Sequence, residues 1–178
     1  MTDLEKYRLV RKYFQSCSIK SNAHKYAEQH YNRLNRISGM IPILTGGLST
    51  VLSGLSSTES VMDVQIATVV VCAASTLAST FHQYLGFLEK VKQHGAASRS
   101  FGDIASDIEF FLNQTKITQA DLAAFSEGIH ERVDIFEGQE PLIQQGFMEK
   151  AKQDEEIAMS TQRLVNTKSR ITDHDIAV

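Results

Sequence analysis

Tryptophan is absent from this chain, and cysteine and proline occur only twice each. Two thiols cannot build a disulfide framework, and Cys72 falls in the middle of an apolar run, where a bridge to Cys17 is not expected. No internal repeat is evident, and there is no Gly/Ser-rich or Pro-rich linker. Catalytic signatures are missing as well. The six histidines (His24, His30, His82, His94, His130 and His174) form no HExxH. There is no CxxC and no Gly-x-Ser-x-Gly, and Gly46-Gly47 is not followed by the Lys-Ser or Lys-Thr of a phosphate-binding loop. Asp103, Asp107 and Glu109 read as a solvated acidic face rather than a metal site, and His24 and His30, six apart, do not share a helix face. No catalytic residue, cofactor-binding residue or metal ligand is therefore assigned, and neither an enzyme nor a cofactor is expected.

The most informative absence is that of charge. Ile37–Thr58 and Val64–Leu88 contain no Asp, Glu, Lys or Arg, and only Glu59-Ser-Val-Met-Asp63 separates them. A helix crosses a bilayer with about 20 predominantly apolar residues, so each run is long enough and the pair reads as a transmembrane hairpin. Arg33 and Arg36 precede the first run and Lys90 and Lys92 follow the second, while the link has no basic residue. The positive-inside rule then puts both termini in the cytoplasm. No cleavable signal peptide is read, because the first apolar run begins only near residue 37.

The net charge of −3 hides an asymmetry: residues 1–36 hold eight Lys or Arg against three acids, and residues 103–178 hold seven against fifteen. Basic residues just before a span are more economically explained by anionic headgroups than by nucleic acid, so a lipid bilayer is the expected partner and DNA or RNA is not.

Helical spacing marks the remaining elements. Leu4, Tyr7, Val10, Tyr13, Phe14 and Cys17 predict an amphipathic helix over 3–17. Ser21 or Asn22 could cap a second helix from Ala23 into the first span. Pro42 sits near the start of that span, where a kink is tolerable if neighbours satisfy the freed carbonyl. The second span continues through Phe87–His94, and Phe101, Ile104, Ile108 and Phe111 share one face of the helix that follows. Thr118-Gln-Ala-Asp121 resembles a capping box, opening a helix with Leu122, Phe125, Ile129, Val133 and Phe136. After Gly138 and Pro141 comes a polar helix over about 142–165, then a frayed end. The fold class is all-α: a transmembrane two-helix hairpin extended by long juxtamembrane helices, with additional cytoplasmic helices. The boundaries are an N-terminal amphipathic segment at 1–20, a two-span domain at 21–140 (spans about 37–58 and 64–86) and a C-terminal helix and tail at 141–178.

The first span is unusual in holding four Gly and eight Ser or Thr between 37 and 58. Thr45, Ser49, Ser53 and Ser57 make one row at intervals of four, beside Gly46, Thr50, Gly54 and Thr58. Thr68, Cys72, Thr76 and Thr80 make a weaker row on the second span. Residues four apart lie on one face of a helix, and small or hydroxyl side chains let helices approach closely in lipid. Two readings stand: tight packing of the hairpin on itself, or hydroxyl rows lining a polar path in a homo-oligomer. His82, near the cytoplasmic end of the second span, is a pH-sensitive or interfacial candidate.

The segment Ala23–Arg36, with His30-Tyr31, leads straight into the Gly/Ser-rich span, and Phe87–Ile104 follows the second. Lys90 and His94 fit a Lys-x-x-x-His stretch, and Phe101 stands at an aromatic position after it. In this order of elements, over about residues 20–140, the chain resembles the SLATT family, the SMODS- and SLOG-associating two-transmembrane effector domains. The resemblance implies an effector of a conflict or antiviral defence system that oligomerises and permeabilises a membrane. Since no fused sensing domain is seen, it implies a trigger that acts through a separate sensor or nucleotide-signal protein or through the cytoplasmic helices, and it supplies no ligand site. The alternatives are a cellular or viral membrane anchor or scaffold whose cytoplasmic helices dock a partner, and a soluble protein that buries the two apolar helices.

Overall fold

A computed structural model describes residues 3–56, 62–114 and 116–175. Most of the acidic link, together with Ser57 and Thr58 of the hydroxyl rows, lies outside them. The described residues contain no strand and are mostly helical, in α1 (Asp3–Ser56), α2 (Met62–Leu85), α3 (Phe87–Leu112), α4 (Gln119–Glu137) and α5 (Gln145–Asp175). One helical stretch, Gln65–Leu112, contains a window apolar enough to cross a membrane, and none of that window is buried within the protein.

Helix α1 has no break at Ser21 or Asn22, where a new helix was expected. Ser21 does not cap. Its Oγ donates to Ser98 O at 2.8 Å and Ser98 Oγ donates to Ser21 O at 3.0 Å, a reciprocal pair joining α1 to α3. The hydroxyl thus finds a tertiary carbonyl in place of an orphan helix-end amide. Conversely, the expected run-on from the second span into Phe87–His94 is interrupted. Gly86 takes φ 58, left-handed backbone that costs any residue with a Cβ. Helix α3 restarts at once, with Glu89 and Lys90 amides donating to Gly86 O at 3.1 and 3.2 Å. Through Asp175, the end read as frayed is helical and belongs to α5.

The contacts divide the chain into two compact units, Met1–Ala27 with Gln93–Val178, and Glu28–Lys92. The N-terminal segment and the C-terminal helix therefore pack in one unit with residues 93–140.

The first unit is a conventional helical core. Phe101, Ile104, Ile108 and Phe111 of α3 are all buried, against Leu122, Ile129 and Val133 of α4 and Val10 and Cys17 of α1. Each of these larger side chains stabilises the fold by about 1.5–3 kcal/mol on leaving water. Phe111 and Phe125 stack with centroids 3.9 Å apart. The capping box forms as read: Asp121 N donates to Thr118 Oγ1 and Thr118 N donates to Asp121 Oδ2, each at 3.2 Å. Helix α5 is attached differently. Ala151 is buried, but the side-chain bonds to α1 are polar: Tyr26 to Asp154, Ser18 to Glu155 at 3.0 Å, and Gln15 to Met159 Sδ at 3.4 Å. Leu4 and Tyr7, at the start of the expected apolar face, are exposed.

Candidate functional site

In the second unit α1 and α2 run antiparallel, as three contacts fix. Ser38 Oγ lies 2.8 Å from His82 Nδ1, Ser75 Oγ donates to Pro42 O at 3.5 Å, and Ser49 Oγ lies 2.7 Å from Cys72 Sγ. Gly39 and Gly46 face this contact: a Cβ on Gly39 would reach ordinary van der Waals distance of the His82 ring, 3.6 Å, and one on Gly46 would lie 4.0 Å from Ser75 Oγ. The seam is therefore built from small and hydroxyl-bearing residues. The outward faces carry the aliphatic and aromatic side chains instead: Ile43 is 73 % exposed, Val69 68 % and Phe81 64 %, with Ile37, Leu44, Leu48, Val51, Val70 and Leu77 exposed beside them.

The two hydroxyl rows do not stay together. Ser49 and Gly46, with Thr45 half-buried beside them, face the seam, and Thr68 is half-buried on α2. Cys72 touches Ser49 yet is exposed overall. Thr50, Ser53, Thr76 and Thr80 lie on exposed faces, and a Cβ on Gly54 would meet open space. Thr45, Thr50, Ser53, Thr76 and Thr80 each donate to the carbonyl four residues back in their own helix, at 2.9–3.0 Å. A hydroxyl satisfied in this way needs no water, so these faces tolerate lipid as well as a neighbouring helix.

Of the family-pattern residues, Tyr31 and Lys90 meet. Lys90 Nζ sits 5.2 Å from the Tyr31 ring centroid, Phe87 lies 6.3 Å from that ring, and His30 packs edge-on to Tyr31 at 5.6 Å.

His94 and Phe101 belong to the first unit, where they surround a residue given no role from sequence. His24 is fully buried, with Nδ1 2.9 Å from His94 Nδ1 and its ring parallel to Phe101 at 5.8 Å. Its Nε2 has no hydrogen-bond partner and lies 3.7 Å from Glu140 Oε2. Lys20 reaches the same carboxylate at 3.0 Å and Glu137 at 2.9 Å. Burial pushes His24 down to about 4, and His94 and Lys20 push the same way. The sequence did hold a signal: Val10, Cys17 and His24 recur every seven residues, so His24 continues an apolar stripe. No group of three or more His, Cys, Asp or Glu able to hold a metal occurs among the described residues. Asp107, from the acidic face, pairs with Arg132 at 2.7 Å.

No protein-family model, curated protein or solved structure matches the chain.

Proposed function

We propose that residues 37–86 form a two-span transmembrane hairpin with both termini cytoplasmic, and that copies of it assemble to permeabilise a membrane, as the resemblance to SLATT effectors implies. One observation carries the membrane part: the helix pair is inside-out. Its seam contacts are made by Ser, Gly, His and Cys, and its large aliphatic and aromatic side chains (Ile, Leu, Val and Phe) are exposed, beside the hydroxyls of Thr50, Ser53, Thr76 and Thr80. A helical hairpin stable in water would put those residues the other way round, because large contiguous apolar surface is seldom left in solvent. In a bilayer there is no hydrophobic drive between helices, and small residues and interhelical hydrogen bonds make the contact.

The self-satisfied hydroxyls of Thr50, Thr76 and Thr80 favour a second reading, a non-catalytic membrane anchor whose outward rows only pack. The two are separated in sequence. Membranes from cells expressing the tagged chain are extracted with alkaline carbonate, and the pelleted protein is reconstituted into dye-loaded liposomes. Retention in the pellet with dye release supports the effector. Retention without release supports the anchor. Release into the supernatant removes both and leaves a soluble helical module.

A further inference from the structure

The two arms of the helix pair in the second unit reach their first charge at different heights. The contacts of Ser38 with His82 and of Ser49 with Cys72 fix the register of α1 against α2, and Lys90 Nζ, 5.2 Å from the Tyr31 ring centroid, carries that register past Gly86. In this register Arg36 stands level with Leu85, and Arg33 with Leu88. Arg36 is the first charge met on α1, whereas the other arm stays uncharged as far as Leu88. One level therefore holds two exposed arginines on α1 and exposed Leu85 and Leu88 on the other arm. No single membrane boundary suits both sets. A boundary at Arg36 leaves both leucines, and Tyr84 at 86 % exposure, among headgroups and water. A boundary at Leu88 puts two guanidinium groups at the edge of the hydrocarbon, where an unpaired charge is costly. Glu28 and Glu89 are the nearest acids in this register, yet neither arginine makes an ion pair among the described residues. The counter-charge has to come from outside the chain.

We propose that Arg33 and Arg36 bind the headgroup phosphate of an anionic phospholipid, whose acyl chain lies along Ile37, Met40 and Leu44. The inference rests on the reading of residues 37–86 as membrane-spanning. Residues three and four apart share a helix face, so the two guanidinium groups can converge on one phosphate. By the same spacing Ile37, Met40 and Leu44, all exposed, continue the stripe towards the middle of the span. A guanidinium grips phosphate through paired, parallel hydrogen bonds. Its long stem lets the charge rise to the headgroups while the methylenes stay with the acyl chains, so the leucines on the other arm keep their apolar surroundings. Net charge selects the lipid. Phosphatidylcholine brings a cation of its own against the arginines, and phosphatidylglycerol does not.

The chain's lack of tryptophan makes the test direct. Met40→Trp puts a single fluorophore at an exposed position one turn from Arg36. The full chain carrying it is reconstituted into liposomes of mixed phosphatidylcholine and phosphatidylglycerol, with bromine on the acyl chains of one lipid or the other. Quenching by each lipid gives their relative affinities at that position. Phosphatidylglycerol is expected to be favoured by about fivefold. Arg33→Gln combined with Arg36→Gln brings the two lipids to parity, and Lys92→Gln, which removes a charge farther from the span, leaves the preference unchanged. Equal quenching by both lipids without the arginine substitutions overturns the site and leaves the hairpin standing. No quenching by either lipid removes the membrane reading and the site together. A preference that survives loss of both arginines, or that Lys92→Gln abolishes as fully, belongs to the general surface charge and overturns the site as well.

Discussion

His24 makes the first unit sensitive to acid, and the direction follows from its burial. An unfolded histidine titrates near 6.5, whereas the folded residue is pushed down to about 4. Between those values the unfolded chain binds the proton and the folded chain does not. The contribution to stability is therefore whole above about pH 6.5 and declines as pH falls towards 4. Its total is on the order of 3 kcal/mol. Thermal unfolding followed by ellipticity from pH 7.5 to 4.5 is expected to show this decline, and His24→Gln to flatten it. A slope unchanged by the substitution would assign the acid sensitivity to carboxylates instead. Phe101 packs on the same ring and under Lys20, whose Nζ is 5.1 Å from its centroid. Phe101→Ala should cost about 3–5 kcal/mol, read as the lowered midpoint of the same transition.

Single helices differ in how openly the sequence announces them. Helices α3 and α4 were legible because each needs only its own periodicity: the faces at 101–111 and 122–136 are those that pack into the core. The capping box was legible for the same reason, since Thr118 and Asp121 lie within one turn. Thr118→Ala removes that cap and should cost about 1 kcal/mol, seen as a shift in the denaturant midpoint without a change in slope. What was not legible depended on distant partners. Ser21 reads as a cap until Ser98, 77 positions away, supplies a carbonyl. His24 reads as an isolated polar residue until His94 and Glu140 fold onto it. Gly86 lies between apolar and aromatic residues and resembles any tolerated helix glycine, yet it alone among the described residues has a positive φ. Gly86→Ala forces a Cβ into left-handed backbone and should cost about 1–2 kcal/mol. If the variant is instead as stable as the parent or more so, α2 and α3 can join as one continuous helix.

For the molecule as a whole, the division of the hydroxyl rows separates two roles that the sequence left superposed. Intervals of four place Thr45, Ser49 and Ser53 on one row, but sequence alone does not say which partner that row meets. The helix pair has a seam and an outside. Ser49 contacts Cys72 in the seam, while Thr76 and Thr80 face outward. A bulky residue at each place should therefore fail in a different way. Ser49→Leu crowds the 2.7 Å contact with Cys72 between α1 and α2, so it should weaken the hairpin itself. The expected result is reduced recovery in the carbonate-resistant pellet and greater protease sensitivity, whether or not a pore ever forms. Thr76→Leu leaves the seam intact and adds apolar surface to a face already suited to lipid. It should pellet as the parent does. If outward hydroxyls line a polar path between copies, dye release should fall by about tenfold or more, since each such side chain would then border water. If Thr76→Leu and Thr80→Leu together leave release unchanged, the path does not run along these rows. The exposed threonines would then be packing residues whose hydrogen bonds, at 3.0 and 2.9 Å to their own helix, already account for their presence in lipid.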